Sequence, residues 1–446
     1  MPIDNDLKIR LLGAIESDSL VFLCGAGLSM APPSLLPPAL TIANECYDTW
    51  NLTEPMDPLL RDNLEGLADH FYVRGDFKDV FINRLIPWNS LVGSPNEGHA
   101  AIADMLICRA AKAALSANFD PLIENWAQDH KIAMRGALDG IEAVNFQFTS
   151  NPLIKFHGCL LRGREETIWT AAQFGEVVLN HRKQTCSDWM KLNLPGRHLV
   201  VVGFWSDWGY LNDVLADAFS IATAASVTVV SPGDSASLET KAPLLWGKLH
   251  AMSHSFTHVQ VSGDVFLSDL RQAFSEVWVR KFIHNGKTLL PTPLPAPLPL
   301  AMAAAAGAPS PMSQADLYDV RRDAEAVSYT SAATSKAPHP STAEAASIRI
   351  RLIEKGALEH HSWLDLGGTL VRVINGAGRN IEDVKEAYKE PPTLPDADVI
   401  VCAGATTLGV PGKLIAKGTP GSIIRPAAGS GSSWITTADA EDLFDL

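Results

Sequence analysis

The sequence predicts an α/β protein: a Rossmann-like, doubly wound parallel sheet, then a Pro/Ala-rich linker and a small C-terminal α+β domain. Three observations lead there. Short apolar or β-branched runs alternate with amphipathic stretches over residues 1–285. Several of these runs end in turns that carry Gly, Asn or His. The composition then changes near residue 287. Buried parallel strands need continuous apolar runs, and strand–helix alternation is what crossover connections require.

Taken in order, the runs Leu20–Cys24, Lys112–Ala117, Glu142–Phe148, Leu199–Gly203, Ser226–Val230 and Thr257–Val261 are predicted strands. A further run, Leu153 to Phe156, ends at His157. Helical patterns cover Pro38–Trp50 and Leu211–Ala222. In Val265–Phe282, the residues Phe266, Leu270, Phe274 and Val277 recur at helical spacing. We therefore expect one doubly wound α/β domain over 1–285.

Residues 286–346 read as a linker. Pro291-Thr292-Pro293-Leu294-Pro295-Ala296-Pro297 predicts a stiff, extended segment, and Ala, Ser, Thr and Pro continue to about Ala346. A short helix is expected near Ser313–Ala326. Too few large apolar groups are present to offset chain entropy, so partial disorder is expected. Residues 347–446 are expected to form a smaller unit of unknown role, assembly or sensing being the two considered. There Ile348–Ile353 alternates like a half-exposed strand, and Val371–Ile374 and Val399–Cys402 are further strands.

Composition narrows the function. The chain has 446 residues and a formal net charge of −14, which argues against broad nucleic-acid binding, because phosphate neutralisation needs clustered Lys and Arg. The six cysteines contain no C-x-x-C pair, so neither a disulfide framework nor a four-cysteine zinc site is expected, and no metal is predicted. The first residues are acidic and polar, unlike a signal peptide. The longest apolar stretch, Leu289 to Ala306, is broken by proline and cannot make a continuous membrane helix. The expectation is a soluble, cytoplasmic protein.

Chemistry concentrates at the strand ends. After Leu20–Cys24 comes Gly25-Ala26-Gly27-Leu28-Ser29. Glycine turns let a phosphate approach the backbone, a following helix offers free N–H groups, and Ser29 adds a hydroxyl. The full G-x-G-x-x-G pattern is absent, since position 30 is Met. A plain strand-to-helix turn accounts for the same residues. Asn118-Phe119-Asp120 offers a neutral carboxamide to fix a water or ribose hydroxyl, and a carboxylate to hold a second donor. A turn or helix cap is the bland alternative. His157, one of 13 histidines, is a side chain suited to moving protons near neutral pH. Gly203, Phe204 and Asp207 follow one strand, and Ser231 and Pro232 follow another. In a parallel sheet these ends converge on one crevice, where they would line adenosine and ribose.

The order Gly-Ala-Gly-x-Ser, Asn-x-Asp, His-Gly and Gly-x-x-x-Asp resembles the sirtuin domain over about residues 1–285. By that resemblance Gly25, Ala26, Gly27 and Ser29 meet the phosphates and ribose of NAD. Asn118 and Asp120 border the nicotinamide pocket, and His157 takes the catalytic histidine position. The departures matter as well. The family's protein deacylases carry two C-x-x-C zinc pairs after His-Gly, where this chain has only Cys159 and Cys186. The residue before Asn118 is Ala117 rather than Gln, and Met30 to Pro37 replaces the Gly-Ile-Pro-x-Phe-Arg stretch. The chain therefore looks more like the sirtuin-like NADases of bacterial anti-phage defence.

That resemblance implies an NAD+ glycohydrolase acting as an abortive-infection effector. Nicotinamide and ADP-ribose would be its products, with cyclised ADP-ribose as an alternative product. It also implies a homo-oligomer and a partner such as a HerA-type ATPase or an Argonaute-type protein. Two other readings stand beside it: an NAD-dependent deacylase or ADP-ribosyltransferase, and a noncatalytic NAD or ADP-ribose binding module. In the C-terminal unit, the glycine turns Asn375-Gly376-Ala377-Gly378, Gly404-Ala405-Thr406 and Gly429-Ser430-Gly431 read as tight turns of a docking domain, with a nucleotide cradle as the alternative. His360-His361 has no further ligand at metal spacing and reads as an exposed helix-end pair.

Overall fold

β1 (Leu20–Cys24) lies near the middle of a six-stranded, all-parallel sheet and is buried on both faces. The computed structural model describes residues 3–130, 132–146, 150–206, 209–220, 222–290, 314–325, 335–360, 363–387, 397–406 and 432–446. The chain divides into two compact units, Met1–Leu270 and Arg271–Leu446.

In the first unit, β2 is Ala113–Ser116, β3 Leu153–Ile154, β4 His198–Val202, β5 Ser226–Ser231 and β6 Phe256–Gln260. The sheet order is β3-β2-β1-β4-β5-β6. The chain first walks outward from β1 to β3, then returns to the other side of β1, which is the doubly wound arrangement. The register is level at the carboxyl ends: Cys24 pairs with both Ser116 and Val202. The turns after β1, β2 and β4 therefore leave the sheet side by side.

Helices flank these strands in sequence, and the last of them runs from the first unit into the second. They are α1 (Asn5–Glu16), α2 (Ala39–Asn51), α3 (Leu64–Arg74), α4 (Glu97–Ile107), α5 (Leu122–Asp129), α6 (Gly140–Asn145), α7 (Val177–Asn193), α8 (Gly209–Ala218), α9 (Ser235–Lys241), α10 (Pro243–Ala251) and α11 (Gly263–Lys287). Asp4 caps α1 by accepting from the amides of Asp6 and Leu7. α4 is buried almost throughout, because it is enclosed by the rest of the unit rather than lying on its surface. α2, α3 and the π-helical Phe77–Leu85 share a separate aromatic core, in which Phe71 stacks on Phe81 at 5.7 Å and Trp169 meets Phe81 edge-on at 5.6 Å.

The second unit holds a five-stranded mixed sheet in the order β11-β10-β9-β8-β7. Its strands are β7 (Leu358–His360), β8 (Trp363–Leu366), β9 (Thr369–Asn375), β10 (Val399–Ala403) and β11 (Ser433–Thr436). β9, β10 and β11 run parallel, while β7, β8 and β9 are antiparallel. Helices α12 (Gln314–Ala324), α13 (Ala343–Glu354), α14 (Ile381–Ala387) and α15 (Thr437–Phe444) accompany them. The Asp323 carboxylate accepts from Arg372 Nε at 2.7 Å and Nη2 at 3.0 Å, tying the end of α12 to β9.

Two segments differ from expectation. Of the expected strand Glu142–Phe148, Glu142–Asn145 is helical, and residues 147 and 148 lie outside the described residues. Asp139 accepts the Glu142 amide at 2.8 Å and starts α6, while the Glu142 carboxylate pairs with Arg162. The third strand position goes instead to the two residues Leu153–Ile154. Ile348–Ile353 is helical, inside α13. Its alternation does not mark one wet face, because Arg349 is buried like Ile348 and Ile350 and reaches Glu359 at 3.1 Å. His360 ends a strand, β7, rather than a helix, because it pairs with Trp363 of β8; the proline run 291–297, the turn 429–431 and His361 lie outside the described residues. Among the described residues no helix is long and apolar enough to cross a membrane.

Gly203 tests the geometry at the sheet's centre. It has φ +64°, and a Cβ there would lie 2.3 Å from the Leu28 amide nitrogen. Gly75 has φ +83°, and a Cβ there would meet nothing within 4 Å. We expect Gly203→Ala to cost more than about 3 kcal/mol, and Gly75→Ala about 1 kcal/mol, in urea unfolding.

Candidate functional site

The turns after β1 and β4 touch backbone to backbone. The Gly27 amide donates to the Gly203 carbonyl at 2.8 Å, and the Gly25 amide donates to Val202 O at 3.0 Å. A Cβ on Gly25 would stand 2.6 Å from Phe204 Cα, and one on Gly27 would stand 2.9 Å from Gly203 Cα. These glycines thus permit a close approach of two loops at the switch point between β1 and β4, where open α/β sheets bind ligands. The expected α-helix does not follow directly. Ala26–Leu28 is a single 3₁₀ turn, and α2 begins only at Ala39.

That 3₁₀ turn delivers Ser29 to a buried position. Its hydroxyl donates to Asp120 Oδ2 at 2.9 Å and accepts from Asn118 Nδ2 at 3.2 Å. Asn118 Nδ2 also donates to the Gly25 carbonyl at 3.2 Å, which joins the β2 turn to the β1 turn. Asp120 Oδ1 accepts from the Leu122 amide at 3.2 Å, so the same carboxylate serves the start of α5. The Asn-x-Asp turn therefore holds the first amide of α5 and joins the polar group around Ser29 at once.

His99, on α4, completes the group and is not among the residues expected from the sequence. Its Nδ1 accepts the Asn96 amide at 3.2 Å, which places the proton of the neutral ring on Nε2. Nε2 lies 3.1 Å from Ser29 Oγ. Asn96 returns the bond by accepting from the amides of Gly98 and His99, forming a capping box. The spacing Asn-x-x-His is the signal that could have found it. Burial pushes His99 down to about 4, with Asp120 opposing and Lys155 reinforcing the shift.

His157 follows β3 and is completely buried. Burial pushes it down to about 3, partly opposed by a hydrogen bond with the backbone of Ala117. Its ring lies 4.6 Å from that of Phe156 and 6.4 Å from that of Phe119. Phe119 in turn stacks on Trp169 at 4.5 Å. Gly158 needs its φ of +105°, and a Cβ there would sit 3.0 Å from Thr167 Cα.

The structure thus brings Gly25, Ala26, Gly27, Ser29, Asn118, Asp120 and His157 to the carboxyl edge of β1, β2 and β3, with Gly203 against them. Phe204 is buried in the hydrophobic core. Ser231 ends β5, where its hydroxyl accepts from the Gly233 amide at 3.3 Å, and exposed Pro232 follows. Asp207 lies outside the described residues. Among the described residues no group of His, Cys, Asp and Glu has the make-up of a metal site, and all six cysteines are buried and unpaired by disulfides.

No family model and no curated protein matches the chain. Solved sirtuin structures do. A Sir2 homologue in complex with NAD is 17% identical, covering 61% of this chain and 94% of that one, with a TM-score of 0.36. A Sir2 complex with p53 peptide and NAD+ is 15% identical, covering 60% and 98%, with a TM-score of 0.34. A sirtuin from work on substrate affinity is 14% identical, covering 59% and 97%, with a TM-score of 0.33. At these scores the fold class rests on the chain's own strand pairing.

Two buried imidazoles with lowered pKa give a pH dependence of stability. The unfolded chain binds their protons near pH 6.5, whereas the folded chain does so only near 4 and 3. Their contribution is full above pH 6.5 and is lost as the pH falls toward those values, at about 1.4 kcal/mol per pH unit for each. We expect the melting temperature to drop between pH 7 and pH 5, and His99→Asn to flatten that slope relative to its own value at pH 7.

Proposed function

We propose that this chain is an NAD+ glycohydrolase, cleaving NAD+ to nicotinamide and ADP-ribose. The observation that carries this is the single polar group made by Ser29, Asn118, Asp120 and His99 beside the glycine crevice, with His157 at the adjoining strand end. NAD+ would lie across the switch point with its pyrophosphate near Ala26 and Gly27. Gly203 and Ser231 would border its adenosine half, with Pro232 and Asp207 nearby. Phe204 would act from beneath, by holding the β4 turn.

Cleavage breaks the bond between ribose C1′ and the nicotinamide nitrogen. The bonding pair leaves with nicotinamide, which departs as a neutral base and needs no proton. Positive charge builds on the ribose, as in other glycosidic cleavages. Asn118 orients the water or the ribose hydroxyl with an uncharged amide. The water oxygen bonds to C1′ and its proton passes to His157, then to solvent. A neutral imidazole is the accepting form, and burial keeps His157 neutral at pH 7. The same burial favours water over a peptide as acceptor, since a small nucleophile needs less opening to arrive beside the ring.

The wider reading rests on the sequence resemblance. The chain would act as an effector of anti-phage abortive infection in the cytoplasm, as a homo-oligomer, with a HerA-type ATPase or an Argonaute-type partner. Residues 1–285 would be the catalytic domain, 286–346 a linker, and 347–446 an assembly or sensing domain.

The test is NAD+ turnover by the purified chain, following nicotinamide and ADP-ribose with and without an acylated peptide. Peptide-independent release is expected. Asn118→Ala and His157→Ala should each lower kcat by about 10²–10⁴-fold. Release that requires the peptide would replace hydrolysis with deacylation. Binding of NAD+ by calorimetry without turnover, with partner present, would leave a binding module.

A further inference from the structure

Lys155 lies between the two motifs of the candidate site and is 1% exposed. Its ammonium donates to the Asp120 carbonyl at 2.5 Å and, more weakly, to the Phe119 carbonyl at 3.4 Å. It also meets Cys159 Sγ at 3.5 Å and Glu124 Oε1 at 3.3 Å. The Lys155 backbone carbonyl accepts the Gly158 amide at 2.9 Å, and its amide donates to Ala137 O at 2.7 Å. One residue therefore holds the carbonyl side of the Asn118–Asp120 turn by its side chain and the His157–Gly158 turn by its main chain.

The surroundings are built for this charge. Gly136 leaves room for it: a Cβ there would come within 2.6 Å of Lys155 Cδ and 2.7 Å of Glu124 Oε1. Glu124 stands on the first turn of α5, the helix that Asp120 opens, so the counter-ion belongs to the element being held. Burial alone would push the ammonium down, but Glu124, Cys159 and Asp120 together hold it above its ordinary value. A buried cation aimed at carbonyls is costly to keep unless it is paired, and an apolar side chain would fill the same space at lower cost.

We propose that Lys155, with Glu124 as its counter-ion, is a positioning residue that clamps the Asn118–Asp120 turn against the His157 strand end for the reaction. The proposal rests on the hydrolase reading above. The clamp fixes the carboxamide of Asn118 and the carboxylate of Asp120 relative to His157, without touching substrate.

Stability and positioning separate in a charge-neutral pair of changes. Lys155→Met alone strands the Glu124 carboxylate and should lower the melting temperature. Lys155→Met combined with Glu124→Gln removes both charges and should recover most of that loss. Turnover should not recover: kcat is expected to stay about tenfold or more below the starting protein, with KM changed less than about threefold. Amide exchange at residues 118, 119, 120 and 122 should quicken by about tenfold in the double variant, with exchange in β1 and β4 unchanged. Recovery of kcat along with melting temperature would overturn the clamp and leave a purely structural ion pair. Unchanged exchange at those four amides would overturn it too. If the starting protein does not turn over NAD+, the hydrolase reading fails by itself, and the exchange comparison still decides the clamp.

Discussion

The close approach of the β1 and β4 turns is the constraint on which the rest of the site depends. Gly25 and Gly27 face Gly203 with no side chain between them, and a main-chain hydrogen bond of 2.8 Å closes the contact. A methyl at any of the three would push the loops apart. With the loops together, the 3₁₀ turn at Ala26–Leu28 can place Ser29 under the β2 turn rather than in solvent. Asn118 then reaches Gly25, and Asp120 reaches Ser29. The level register of β1, β2 and β4 makes those reaches short. The sheet fixes where the turns start, and the glycines fix how near they come.

Electrostatically the site is quiet at its surface and charged beneath. The imidazoles of His99 and His157 are neutral at neutral pH, and Asn118 and Ser29 carry no charge. The formal charges sit on Asp120 and on the Lys155–Glu124 pair below the turn. Such buried groups hold fixed orientations, which is what a polar reaction in a water-poor cleft requires. The cost is borne by the fold: each of these groups is kept only because its partners are in place.

Much of the architecture was legible in the chain. β1 begins and ends where its apolar run does, at Leu20 and Cys24, because a strand buried on both faces has a continuous signature. The other long strands fall within a residue or so of their runs. Glu142–Asn145 misled because Ala143 and Val144 belong to a short helix whose start is set by Asp139. Ile348–Ile353 misled because an enclosed helix with a buried arginine, Arg349, shows no single apolar stripe. At the site, residues marked by turn chemistry were visible, and those that act through distance in sequence were not. His99 is 70 positions from Ser29, and Lys155 is 35 from Asp120. The Asn-x-x-His spacing marks His99 locally as a cap partner of Asn96, and nothing local marks Lys155 as more than a strand residue.

The Ser29 hydroxyl has one proton and two lone pairs. In this structure all three are engaged, by Asp120, Asn118 and the proton-bearing nitrogen of His99. A ligand oxygen or hydroxyl that bonds to Ser29 must therefore evict one of these partners, and the evicted group must find another bond within the cleft. Ligand contact at Ser29 is an exchange, so it adds little to affinity. It gains discrimination instead: a ligand able to satisfy the released Asn118 amide or Asp120 carboxylate is accepted, and one lacking that complementary group leaves a buried polar atom unmet.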